Sequence, residues 1–75
     1  MKIILTDHLK FQLYDRKLDL EKIRLTIIKP SLSKPAKDDS LKYQRMFEGR
    51  TLCVVGKHVS HNTFIVFTAY YLKQL

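Results

Sequence analysis

Apolar positions along the 75-residue chain first recur at helical spacing and later alternate as in strands. Residues 2 to 5, KIIL, read as a short strand, after which Thr6 or Asp7 offers an oxygen to the free amides of a first helix. That helix is predicted to run to about Lys17. Its apolar residues form two groups, Leu9 with Leu13 and Phe11 with Tyr14 and Leu18, the pattern of a helix covered on two sides. Asp19 caps a second helix in which Leu20, Ile23, Ile27 and Ile28 fall at i, i+3, i+7 and i+8 as one buried stripe. Pro30 stops it. Lys29 to Ser40, KPSLSKPAKDDS, holds both prolines and no periodicity, and reads as a loop.

Three strands are expected beyond it: Leu41 to Phe47, Thr51 to Lys57 and Asn62 to Tyr71. EGR, a three-residue connection with Gly49 free to take a positive φ, joins the first two, and a looser turn, GKHVSHN, joins the last two. The order is β-α-α-β-β-β in a single domain over residues 1–75. It implies an α+β fold, two helices on one face of a mainly antiparallel sheet, with the first strand at an edge or beside the last.

Charge narrows the partners. Fourteen Lys and Arg against seven Asp and Glu give a net charge of +7, which points to a polyanion or an acidic protein. All seven acids precede Gly49, so no carboxylate cluster of the kind a two-metal nuclease needs is available. No metal and no cofactor are expected. The single Cys53 lies inside the apolar run TLCVV and fits a reducing cytoplasm. No stretch approaches the roughly 20 apolar residues of a membrane span. A domain this small buries only about 60% of the surface its unfolded chain exposes, so the site should be a surface groove.

Two stretches offer chemistry. On the first helix His8, Gln12 and Arg16 align at i, i+4 and i+8 with Asp15 beside them, either as a phosphate-holding stripe or as a solvated face. On the first hairpin strand Leu41, Tyr43, Arg45 and Phe47 share a face. They could stack splayed bases and pair a phosphate, or form sheet core with Arg45 reaching out to solvent. Lys57, His58 and His61 cluster at the last turn as a basic rim.

The segments TDHLKFQLYDRKLDLEKI, YQRMFEGRTLCVV and IVFTAYY resemble an uncharacterised family of small prokaryotic domains related to the RelE, ParE and BrnT toxins. His8, Arg16, Pro30, Gly49 with Arg50, and Thr68 with Tyr70 match its short motifs. Two positions depart from it: Gln12 stands where an arginine is common, and Lys17 replaces the usual glycine. The resemblance implies a RelE-like fold and, by analogy, a toxin of a toxin–antitoxin pair. Its activity would be metal-independent endoribonuclease cleavage of mRNA, free or ribosome-bound, and its partner an acidic antitoxin. His8 would then be base or acid, Arg16 and Arg45 charge stabilisers, and Tyr70 a proton donor, with Tyr71 packing on the other face. Tyr43, Phe47, Arg50, Lys57 and His58 would contact the nucleic acid. The alternative is a non-catalytic module of the same fold that binds RNA or, as ParE-like proteins do, a protein target such as gyrase.

Overall fold

The computed structural model describes residues 1–72. Its elements are β1 (Lys2–Leu5), α1 (Asp7–Asp15), α2 (Leu20–Ile28), β2 (Leu32–Pro35), a short 3₁₀ turn (Lys37–Asp39), β3 (Leu41–Phe47), β4 (Arg50–Ser60) and β5 (Thr63–Tyr71). The strands form one mixed sheet in the order β1-β5-β4-β3-β2. β1 pairs parallel with β5 and every other neighbouring pair is antiparallel. The fold is α+β, and β1 is at once an edge strand and the neighbour of the last strand. No helix among the described residues is long and apolar enough to cross a membrane.

Both helices start as their sequences dictate. Thr6 accepts a hydrogen bond from the Leu9 amide at 3.1 Å and Asp19 from the Glu21 amide at 2.9 Å, each satisfying a donor that the first turn leaves open. α1 ends at Asp15, two residues earlier than its pattern suggests. Lys17 takes a left-handed φ of 53°, and the Leu18 amide reaches back to the Leu13 carbonyl at 3.0 Å, which is a Schellman ending.

One face of the sheet carries the core. Leu9 of α1, Ile23 and Ile27 of α2, Leu52 and Val54 of β4, and Phe64, Val66 and Ala69 of β5 form one buried cluster. α1 lies against β5 and β1, α2 against β4 and β3. The double covering expected for α1 does not occur, since Phe11 and Tyr14 are 64% and 88% exposed. On α2 the expected stripe is narrower, with Ile23 and Ile27 buried and Leu20 and Ile28 exposed. Buried Thr26 takes a core place and satisfies its hydroxyl on the Lys22 carbonyl at 2.7 Å.

The segment between Pro30 and Leu41 is not wholly loop. Its residues 32–35 pair with β3, Leu32 opposite Gln44 and Pro35 opposite Leu41. All four residues are exposed, so no burial period marks the strand, and an edge is where a proline lacking its N–H is tolerated. The β3–β4 turn is also tighter than EGR suggested. Glu48 and Gly49 alone connect the strands, both with positive φ (52° and 82°), and Phe47 stands opposite Arg50, the form of a two-residue primed turn.

Candidate nucleic-acid interface

The helix-covered face of the sheet follows from register. Leu52 and Val54 belong to the core. Arg45 lies opposite Leu52, Tyr43 opposite Val54, and Tyr71 opposite Leu52 on its other side. Arg45, Tyr43, Phe47, Arg50 and Tyr71 therefore stand on the face that the helices cover.

Toward the β3–β4 turn this face ends in cations stacked on rings. The Arg50 guanidinium lies 3.9 Å from the Tyr71 ring centre, and Arg45 and Lys22 lie 5.6 and 5.7 Å from that of Phe47. The negative ring faces attract these cations; Arg50 is exposed, and Arg45 and Lys22 are half-buried. Arg45 also donates to the Lys29 carbonyl at 2.8 Å, which fixes the guanidinium against the end of α2. Arg16 donates to the Ala69 carbonyl at 3.2 Å, one same-face position before Tyr71. Arg16, Lys22, Arg45 and Arg50 thus converge with Phe47 and Tyr71 on one end of the molecule.

The polar stripe of α1 divides, with His8 and Arg16 exposed and Gln12 turned into the sheet. Gln12 is buried, and its side-chain oxygen accepts from the Thr68 hydroxyl at 2.8 Å and from the Ala69 amide at 3.4 Å. The strand is irregular there: Val55 pairs with Thr68 but Gly56 with Val66, leaving Phe67 as an extra residue. A bulge leaves backbone groups outside the ladder, and Gln12 and Arg16 satisfy one amide and one carbonyl beside it. An arginine at position 12 would place a charge where only a short neutral amide is accommodated. His8 lies exposed in the first turn of α1, about 12 Å along the helix axis from Arg16 at 1.5 Å per residue.

Tyr70 does not join this group. It stands opposite Cys53, which is opposite Gln44, on the face turned away from the helices. Tyr71, read from sequence as packing, is the tyrosine that shares a face with the arginines. Beside Tyr70 the Cys53 thiol is fully buried, and its pKa is raised by burial, a shift opposed by the Lys42 charge and by hydrogen bonds from Gln44 and Tyr70.

Tyr43 and His58 form a third grouping. The Tyr43 hydroxyl lies 2.9 Å from His58 Nε2, and both rings pack on Phe64, at 5.5 and 4.8 Å between centres. Gly56 makes this possible. A Cβ there would meet the Ile65 carbonyl oxygen at 2.0 Å and the Phe64 ring at 2.6 Å, so the aromatic ring occupies the space a side chain would fill. Lys57, opposite Ile65, lies on the face that carries Tyr70.

The nine residues singled out from sequence therefore divide. Arg16, Arg45, Phe47 and Arg50 come together, Tyr43 and His58 build an aromatic cluster, Tyr70 and Lys57 lie on the opposite face, and His8 stands apart. Sequence reasoning missed Lys22 and Tyr71. A two-residue turn would have revealed the pairing of Phe47 with Arg50, and strand alternation from there leads to Leu52 and its neighbour Tyr71. Among the described residues no three His, Cys, Asp or Glu side chains gather as a metal site. Comparison with known protein families, curated proteins and solved structures finds no match.

Proposed function

We propose that the protein binds single-stranded RNA through the cluster of Arg16, Lys22, Arg45 and Arg50 around Phe47 and Tyr71. The observation that carries this reading is the stacking of Arg50 on Tyr71 at 3.9 Å. A planar cation held on a ring offers its other side to an unstacked base and its N–H groups to phosphate. Lys22 and Arg45 over Phe47 and Arg16 beside Ala69 offer further phosphate contacts, and the net charge of +7 favours approach of a polyanion. Base stacking on aromatic side chains contributes about 1–3 kcal/mol per base without sequence preference.

Cleavage of mRNA by a RelE-like toxin is the second reading, supported by the short motifs and by guanidinium groups suited to the charge of a phosphorane. It ranks below binding because a base and an acid within reach of the reacting phosphate are also needed. The tyrosine and histidine assigned those roles stand away from the arginines.

Fluorescence anisotropy with a labelled single-stranded RNA oligonucleotide tests the proposal. Arg45→Gln with Arg50→Gln should weaken binding about tenfold or more, corresponding to loss of two charge-assisted contacts. Unchanged affinity in the double variant would remove the site. Electrophoresis of the same RNA after incubation, with and without EDTA, reports cleavage separately.

A further inference from the structure

The sheet has a second face that no element of the described chain covers. On it Ile4 stands opposite Ile65, and Ile65 opposite Lys57; Val55 stands opposite Lys42, and Lys42 opposite Lys34. Phe67, the extra residue of the bulge, turns outward after buried Val66 and is 39% exposed. Ile4, Ile65, Phe67, Val55 and Tyr70 form an apolar band along β1, β5 and β4. Lys57, Lys42 and Lys34 flank it on the β4 to β2 side, and Lys2 stands beside Thr63 at the far end. None of the five strands contains Asp or Glu; all seven acids lie in helices, caps and turns. Every charge on this face is therefore positive.

We infer that this face is the docking site of an acidic amphipathic helix presented by another protein. Two neighbouring strand spacings span about 10 Å, and one helix with its side chains is about 10–12 Å across, so a single helix matches the width of the band. Its apolar stripe would bury Ile65, Phe67, Val55 and Tyr70. Carboxylates on one flank would meet Lys34, Lys42 and Lys57, which fixes the orientation of the helix across the sheet. The occupant is not a second copy, because two such faces would oppose lysines with no acid to pair them. The docking surface is separate from the arginine cluster, since the two lie on opposite faces of the sheet.

The probe is a labelled synthetic peptide about five turns long, with leucines at helical spacing and glutamates along one flank. Its controls are a scrambled peptide and one with lysine for every glutamate. The wild-type chain should bind the acidic peptide, with a gain of helical circular dichroism, and neither control. Lys42→Glu with Lys57→Glu should weaken the acidic peptide about tenfold or more and create binding of the lysine peptide, while thermal stability stays at its wild-type value and RNA affinity falls less than in Arg45→Gln with Arg50→Gln, through the lower net charge alone. Phe67→Ser should weaken the acidic peptide independently of charge. Equal binding of both helical peptides, or binding of neither, overturns the inference. So does a dimer in sedimentation that Phe67→Ser dissociates. Binding to labelled RNA or to phosphatidylserine vesicles that Phe67→Ser abolishes and the acidic peptide does not displace also overturns it, by assigning the face to a different occupant.

Discussion

Lys17 shows how a single side chain records a backbone conformation. It closes α1 at φ 53°, where an L side chain crowds its own carbonyl at a cost of roughly 1–2 kcal/mol. The position suits glycine, which has no Cβ to crowd. Lys17→Gly should therefore raise stability by up to about 1 kcal/mol, the gain from relieved strain being partly offset by the entropy of the unfolded glycine. Thermal melting checks this, and a lower melting temperature would show that the lysine side chain contributes more than its backbone costs. Gln12 is set by an equally local requirement, since its oxygen is committed to Thr68 and Ala69. Spacing showed that Gln12 and Arg16 share a helical face, but not which way the face points. Polar residues usually mark the solvent side, and here they meet a β-bulge whose backbone needs partners.

The helices and the long strands were legible because their burial follows a period. Thr6 and Asp19 start their helices as expected, and β3 and β5 appear where alternation places them, whereas β4 runs on to Ser60 through most of the segment read as a loose turn, leaving only His61 and Asn62 between the strands. β2 was not legible, because a short edge strand exposed at every position has no period to read. The pairing of Phe47 with Arg50 was obscured by Glu48, an unusual residue for the positive φ it adopts. The split of the candidate site follows from those two limits, since which face a strand residue occupies is set by register and not by composition. Gly56 tests the same point within one strand. An added methyl would lie 2.0 Å from a backbone oxygen, and backbone cannot move aside as a flexible side chain does. Gly56→Ala should destabilise the protein by about 1–3 kcal/mol or more through overpacking and should disturb the contact between Tyr43 and His58. Denaturant unfolding gives the first quantity and the His58 ring resonances the second. A variant of wild-type stability would mean that β4 and β5 separate there without cost.

Charge is arranged over the molecule so that the sheet is entirely basic and the acids sit on the helices and turns. The two faces of the sheet nevertheless present different cations. Arginines with aromatic rings stand at the turn end of the covered face, and lysines beside aliphatic side chains stand on the open one. Salt dependence distinguishes them, because each phosphate neutralised on a single strand contributes about −0.7 to the slope of log affinity against log salt. Four cations in the arginine cluster set a limit near −3. Arg16 and Arg45 already donate to carbonyls, so fewer phosphates are neutralised if those bonds persist, and the slope should lie between about −1.4 and −2.8. It should become shallower by about 0.7 in Arg50→Gln and stay unchanged in Lys42→Glu with Lys57→Glu. The reverse pattern, with the lysine variant flattening the slope and the arginine variant leaving it intact, would move RNA to the open face and leave the arginine cluster as a brace between α2, β3 and β5.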